Sequence, residues 1–460
     1  MQQIPSTGQL IAIREFYQSG ATQSYSFRKE QLLRLKDAIL KYEEQFYEAF
    51  QQDLRKSKEE AWVTELGFVL AELRKTLREL KRWMAPQKVA TNFLNFPSSS
   101  RILREPLGVV LIVGPWNYPF QLVVAPLISA IAAGNCVVVK TGEAASATDR
   151  VLKEMLESTF PSNFLAYAQG EGAEIIPALM KTFDFDHVFF TGGLQAGKAI
   201  YQQAAEKLIP VTLELGGKSP AIIESDANID VAARRIASTK FSNSGQMCVA
   251  VDYVLVHESK KDALIQALKK CIIQFYGDDP AQSYNYGRMI SKKQFNRVVG
   301  YLSQGKIVHG GSYNEDDLYI EPTLLTGVKW DDAVMQDEIF GPVLPILSFS
   351  DGEGWLSQTH HHPNPLAAYI FTASKEKEKF WQQHLHFGGG CVNNASWHLT
   401  NPELPFGGRG NSGMGRYHGQ FGFDTFSHLK SILKTPTWFD PAIKYPPMKG
   451  KLGLFKKFIR

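Results

Sequence analysis

From Arg28 to Phe50, and again from Ala61 to Trp83, apolar residues recur at spacings of three and four among charged ones, which predicts amphipathic helices. Pro86 closes that region, because a residue without an N–H cannot continue a helix. Short apolar runs then take over, at Gly108 to Val113, Cys136 to Val139, Phe164 to Ala168 and His187 to Phe190. They alternate with helix candidates at 120–133, 148–159, 171–181 and 195–207. This alternation predicts a parallel sheet covered on both faces, with its ligand crevice beyond the carboxyl ends of the strands. A second alternating block runs from Pro220 to about Ser396. It has strands expected at Ala221–Ile223, Val249–Val256, Pro345–Phe349 and Ala368–Phe371, and helices at 229–241 and 259–276. The fold class is therefore α/β, with a ligand cleft expected between two units.

At 460 residues the chain is too long for one ordinary core, so two or three domains are expected. With 44% apolar and 21% charged residues it reads as a folded, water-soluble protein, without repeats or low-complexity tracts. No basic run and apolar core open the chain, and no apolar run reaches the roughly 18 residues of a membrane span, so neither a signal peptide nor a transmembrane segment is expected. Cys136, Cys248, Cys271 and Cys391 have no paired spacing, which argues against a disulfide framework or a zinc site and makes a reducing cytoplasm the expected location. No metal site is expected. His360-His361-His362 reads as a solvent loop, since adjacent side chains diverge and Pro363 follows.

The net charge of +4 belongs to the tail. Residues 444–460 hold six basic side chains (Lys444, Lys449, Lys451, Lys456, Lys457, Arg460) and no acidic ones, leaving 44 basic against 46 acidic residues elsewhere. That balance excludes a nucleic-acid-binding face. Leu452, Leu454, Phe455, Phe458 and Ile459 alternate with the lysines, as a segment seeking an anionic membrane surface would. A solvated or partner-packed terminus is the plainer reading.

Phe241-Ser242-Asn243-Ser244-Gly245-Gln246-Met247-Cys248 places a thiol just after a turn of small residues, downstream of Leu213-Glu214-Leu215-Gly216-Gly217-Lys218. A thiol attacks a carbonyl carbon as the thiolate, and a separate carboxylate, here Glu214, would serve as base. Taken singly, Cys248 is as well explained as a small buried apolar residue. Ile112-Val113-Gly114-Pro115-Trp116-Asn117-Tyr118-Pro119 is a turn stiffened by two prolines. Its Asn117 would either stabilise an oxyanion or bond its own backbone.

Phe189-Phe190-Thr191-Gly192-Gly193-Leu194-Gln195-Ala196-Gly197-Lys198 follows an apolar run and opens a helix, as a phosphate-binding turn does. Its glycines do not match the strict dinucleotide fingerprint, and a purely structural turn explains it equally well. Lys140 and Glu143 end another strand at the crevice, where they would hold ribose hydroxyls or simply be solvated. Glu338-Ile339-Phe340-Gly341-Pro342 and Pro405-Phe406-Gly407-Gly408 each set an aromatic beside a glycine turn, to hold a flat ring or to pack the core. Met247 makes an adaptable apolar wall beside the thiol.

Together and in this order the motifs resemble the aldehyde dehydrogenase superfamily over nearly the whole chain. The carriers are PWNYP at 115–119, FTGG at 190–193, LELGGK at 213–218, SGQMC at 244–248, EIFGP at 338–342 and LPFGGRGNSGMGRYHG at 404–419. The last of these, with FGFDTFSH at 421–428, resembles the class three, or fatty aldehyde dehydrogenase, branch. The resemblance implies a Rossmann-like NAD(P)-binding domain (1–87 and 107–213), an α/β catalytic domain (214–418), and a β hairpin and C-terminal arm for oligomerisation (88–106 and 419–460). It implies a homodimer and the oxidation of aliphatic or aromatic aldehydes with NAD or NADP.

The implied catalytic residues are Cys248 as nucleophile, Glu214 as base for the hydrolytic water, and Asn117 with the Cys248 backbone N–H as oxyanion donors. The implied cofactor residues are Trp116, Lys140, Glu143, Gly192, Gly193, Gly197, Glu338, Phe340 and Phe406. Lys140-Thr141-Gly142-Glu143 keeps the family's two charged groups but lacks its proline, leaving NAD and NADP both open. The alternatives are a coenzyme A-acylating dehydrogenase, in which a thiol replaces water, and a cofactor-free thiol hydrolase or acyltransferase, for which no motif-linked histidine is present.

Overall fold

The helical periodicity of the first eighty residues folds as Thr7–Gln18, Tyr25–Lys41, Glu43–Leu54 and Lys58–Ala61, the last running on through a π turn at Trp62–Leu66 into Gly67–Met84. The computed structural model describes residues 3–350 and 364–458, so the His360–His362 run lies outside the described residues. One expectation is corrected here: residues 28–50 are two helices, not one. Tyr42 leaves helical geometry (φ −96°, ψ 8°) to cap both, and its hydroxyl reaches Ser158 at 3.2 Å.

Strands β1 (Gln87–Val89) and β2 (Ser99–Pro106) precede the parallel set β3 (Val109–Val113), β4 (Cys136–Lys140), β5 (Leu165–Ala168), β6 (His187–Thr191) and β7 (Val211–Glu214). The next set is β8 (Pro220–Ile223), β9 (Tyr253–His257), β10 (Lys306–His309), the pair β11 (Tyr313–Asn314) and β12 (Tyr319–Ile320), β13 (Thr323–Thr326), β14 (Val343–Phe349), β15 (Ala367–Phe371) and β16 (Gly389–Val392). Two more, β17 (Gly413–Met414) and β18 (Ser427–Lys434), complete the described strands.

They form a six-stranded sheet ordered β17-β7-β6-β3-β4-β5, a seven-stranded sheet ordered β10-β13-β14-β9-β8-β15-β16, and a three-stranded sheet β1-β2-β18. The first sheet is parallel except for β17, and the all-buried, Val/Ile-rich β3 and β4 are the composition such a sheet needs. The helix Gln121–Ala133 is buried along its whole length, with no polar face to present.

Chain order reverses at β3, with β4 on one side and β6 on the other, so the turns after β3 and β6 flank a crevice. Register aligns the carboxyl ends there: Val113 sits opposite Lys140 and Phe190, and Thr191 opposite Glu214.

The strand expected from Val249 begins only at Tyr253. Residues before it take other partners, with Ala250 N–H donating to the Met247 carbonyl and Asp252 N–H to the Ser219 carbonyl. Apolarity there reflects burial rather than pairing.

Candidate active site

Cys248 is presented by a turn that needs unusual backbone. The helix Ile229–Phe241 ends at Ser242, and Asn243 and Ser244 both adopt left-handed geometry (φ 49° and 51°). Gly245 has φ 74°, and a Cβ there would collide with the Gly341 backbone. Buried Gln246 fastens the turn, donating to the carbonyls of Asn243 (3.0 Å) and Arg288 (2.9 Å) and accepting from Ile290 N–H (3.0 Å).

Asn117 is tied to the same turn. Its Nδ2 donates to the Gln246 carbonyl at 3.0 Å, while its own carbonyl accepts from Asn243 Nδ2 (2.9 Å) and Lys56 Nζ (3.2 Å). One carboxamide N–H is thus spent on position, and the side chain lines the same cavity as Cys248. Below it lies a fully buried ion pair that the sequence did not reveal: Lys56 Nζ to Glu65 Oε1 at 2.7 Å, with Glu65 Oε2 accepting from Gln121 N–H at 2.8 Å. Lys56 also sits 4.0 Å over the Tyr118 ring.

Glu214 ends β7. Its carbonyl accepts from Gly192 N–H at 3.0 Å, and β17 pairs with it through Gly413. The side chain is 2% exposed, and neither carboxylate oxygen has a hydrogen-bond partner among the described residues. Burial therefore pushes its pKa well above the carboxylate range. The Cys248 thiol is pushed up too, by burial first and then by Glu338 and Glu214, with backbone N–H groups pulling the other way. Burial and the carboxylates both disfavour the thiolate form. Cys248 keeps some surface toward the cavity although protein surrounds it elsewhere.

A cavity of about 690 Å³ joins these groups, within the range of small-molecule sites. Trp116, Asn117, Gly192, Gly193, Glu214, Cys248, Glu338 and Phe340 line it. Of the residues expected to bind cofactor, Lys140, Glu143, Gly197 and Phe406 lie outside this lining. Lys140 and Glu143 form an ion pair at the end of β4, and burial of Glu143 is outweighed by Lys140, which holds its pKa below the usual value. Gly197 packs its helix against Leu215 and Phe190, and its N–H is already bonded to the Gly193 carbonyl. The Phe406 ring packs against His398, Tyr417 and His418.

The helix Leu194–Glu206 opens into the cavity with Gly193 as its N-cap and no side chain capping it, so free N–H groups face the space. That is the cradle a pyrophosphate fits. On the facing wall, Glu338 lies against Gly216, where any Cβ would clash with its carboxylate. Phe340, held at φ 47°, meets Trp116 edge to face at 5.3 Å. Asp252 accepts from Ile339 N–H (3.0 Å) and pairs with Lys218, and Arg297 donates to the Glu338 carbonyl at 3.2 Å. Lys218 stands in a motif read from the sequence; Asp252 and Arg297 carried no signal. Among the described residues no group of three or more metal-ligating side chains occurs. A thiol, a carboxamide, a buried carboxyl without partners and an uncapped helix N-terminus share this one space.

The aldehyde dehydrogenase family model matches residues 12–432. The chain belongs to the aldehyde dehydrogenase family. A curated relative, the 4,4′-diaponeurosporen-aldehyde dehydrogenase of Staphylococcus aureus, is 46% identical over 97% of each chain. Among solved structures, the substrate-bound state of Staphylococcus aureus AldH superposes with a TM-score of 0.96 at 45% identity, covering 98% of this chain and 99% of that one. An NAD+ complex of a Bacillus cereus aldehyde dehydrogenase superposes at 0.81 with 28% identity, covering 93% and 88%. The protein is thus an oxidoreductase acting on aldehydes.

Proposed function

We propose that this aldehyde dehydrogenase converts medium- to long-chain aliphatic or aromatic aldehydes to carboxylic acids through Cys248, Asn117 and Glu214. The observation that carries this reading is the meeting of these three side chains in one cavity with an uncapped helix N-terminus. The Cys248 thiol loses its proton to solvent and, as the thiolate, forms a C–S bond to the aldehyde carbon. The resulting oxyanion accepts from the second Asn117 N–H and the Cys248 backbone N–H. A nicotinamide held in this cavity would supply the hydride acceptor needed to oxidise this adduct to a thioester. Glu214 then takes a proton from water, the oxygen adds to the acyl carbon, and the C–S bond breaks to restore the thiolate.

The cofactor's pyrophosphate would lie on Gly192, Gly193 and the N-terminus of Leu194–Glu206, its adenosine ribose near Lys140 and Glu143, and its nicotinamide ribose on Glu338. Trp116 and Phe340 would wall the cofactor, and Phe406 would flank the nicotinamide. An ionised Glu143 repels a 2′-phosphate, so NAD suits the site better than NADP. Half-buried Met247 beside the nucleophile, and the long apolar aldehyde in the name of the Staphylococcus relative, support an apolar substrate. A buried carboxyl with free oxygens near the thiol favours water over coenzyme A as acyl acceptor.

Replacing Cys248 by alanine is expected to abolish NADH formation while NAD still quenches intrinsic fluorescence. Retained turnover would sink the reading.

The chain divides functionally into residues 1–87 with 107–213, 214–418, and 88–106 with 419–460, the last pairing two copies. Exposed Phe93 and Phe96 in the β1–β2 connection, Leu429 and Leu433 on β18, and Trp438 on the arm after it support a homodimer. No helix of the described residues is long and apolar enough to cross a membrane. The helix Leu452–Phe458, with Leu452 and Leu454 exposed beside lysines, suits weak contact of a cytoplasmic protein with an anionic lipid surface.

A further inference from the structure

Between the nucleophile turn, which ends at Gly245, and the start of β9 at Tyr253, the chain is neither strand nor helix. Cys248 stands in the middle of this stretch. The Ala250 N–H donates to the Met247 carbonyl at 2.9 Å, so Met247–Ala250 is a β-turn with Cys248 and Val249 at its two central positions. That internal bond closes the turn without fixing it to the rest of the molecule.

Two clamps from outside do so. Upstream, the Gln246 carbonyl accepts from Asn117 Nδ2 (3.0 Å) and Asn243 Nδ2 (3.1 Å). Downstream, the Val249 carbonyl accepts from the Tyr369 hydroxyl at 2.5 Å. Tyr369 sits midway along β15, in register with Ala221 of β8 on one side and Cys391 of β16 on the other, and is 0% exposed. A buried carbonyl needs a donor, and a ring pinned between two strands supplies one in a fixed direction.

The hydroxyl also accepts from the Ser396 N–H, and burial holds its pKa well above the ordinary tyrosine value, so it remains a donor toward Val249. Ser396 has φ 60°, and Asn243 and Ser244 ahead of the thiol are left-handed as well. Residues other than glycine keep such geometry only where their surroundings over-determine it. One hydroxyl thus ties the nucleophile segment to a second strained loop.

We propose that Tyr369 is a positioning residue whose hydroxyl fixes the Met247–Ala250 turn, so that the Cys248 N–H and the Asn117 carboxamide converge on one oxyanion. Tyr369 does not line the cavity and acts through the Val249 carbonyl. The inference rests on the oxyanion role proposed for Asn117 and the Cys248 N–H, and the test separates the two.

Tyr369→Phe removes one oxygen and leaves the ring in the core. Stopped-flow absorbance gives the single-turnover rate of NADH formation from octanal at saturating NAD, for wild type, Tyr369→Phe, Asn117→Ala and the double variant. Fluorescence quenching gives NAD affinity, and mass spectrometry gives the rate at which iodoacetamide alkylates Cys248. The Tyr369→Phe rate should fall about ten- to a hundredfold, the cost of misplacing a reacting group by about 1 Å. NAD affinity should stay within about twofold of wild type, because the loss lies in the chemical step. Alkylation displaces iodide at a saturated carbon and builds no oxyanion, so it should stay within about threefold. Asn117→Ala should lose about 10²–10³-fold. Adding Tyr369→Phe to it should cost less than Tyr369→Phe costs alone, because groups that serve one oxyanion are not additive.

A Tyr369→Phe rate within about twofold of wild type, even with a lower urea midpoint, would leave only a structural bond and overturn the inference. The same factor in both backgrounds, or alkylation slowed as much as NADH formation, would also overturn it. A wild-type rate in Asn117→Ala would overturn the oxyanion reading itself, and the inference with it.

Discussion

Glu214 carries a carboxyl that nothing in the described structure satisfies, and its chemistry follows from that isolation. Desolvation raises its pKa, making it a stronger base once ionised but a protonated acid over a wider pH range. Hydrolysis of the acyl-enzyme should therefore speed up as pH rises through this elevated value, the reverse of a step needing a general acid. Glu214→Gln should form one equivalent of NADH in a burst and then turn over about 10²–10⁴-fold more slowly. Stopped-flow absorbance checks this, and an unchanged steady state would remove Glu214 from deacylation. The thiol obeys the same logic. With Glu338 and Glu214 opposing its ionisation, alkylation of Cys248 by iodoacetamide should be slow at neutral pH and accelerate as pH rises; a rate flat from pH 6 to 9 would show that the thiolate is already formed at rest.

At the scale of elements, the site is a set of turns held by other turns. Lys56 and Glu65, on either side of the short helix Lys58–Ala61, brace the turn that displays Asn117. Lys56→Met should strand the Glu65 carboxylate and cost about 3–5 kcal/mol of stability, whereas Lys56→Met with Glu65→Leu should recover most of it. Urea unfolding midpoints decide, and a double variant as unstable as the single one would argue against an uncompensated charge. Strands β3, β4 and β6 were legible because buried parallel strands are rich in Val, Ile and Phe, and β5, Leu-Ala-Tyr-Ala, because its apolar run is unbroken. β7 was not, since its four residues merge with the glycine motif that follows, nor was β16, whose Gly-Gly-Cys-Val carries no strand signal. Cys248, Glu214 and Asn117 were legible through the company of glycines and prolines at fixed offsets. Lys56 and Asp252 were not, because a charged residue on an amphipathic pattern reads as solvated until the fold encloses it.

On the scale of the whole molecule, the β1–β2 connection and the segment after β18 leave apolar groups in water that a second copy would cover. Phe96 and Trp438 are 64% and 77% exposed. Phe96→Glu with Trp438→Glu should convert a dimer into monomers in sedimentation, while a monomeric wild type would refute the reading outright. Truncation to 1–443 removes all the charge of the basic tail, and should lower co-sedimentation with phosphatidylserine vesicles relative to full-length protein. Equal sedimentation of the two would leave the tail as a packed or solvated terminus.

The brace beneath Asn117 also has a temporal meaning. Glu60 accepts from Ser242 Oγ and from Asn243 N–H, each at 2.8 Å, across more than 180 residues of chain, and Gln246 finds its more distant partners in the Arg288 carbonyl and Ile290 N–H. A ribosome delivers the N-terminal helices long before the thiol they will hold. The nucleophile turn, with its left-handed residues, gains its last anchors only once the chain beyond Ile290 has emerged. Until then the nascent protein carries a cysteine without a site.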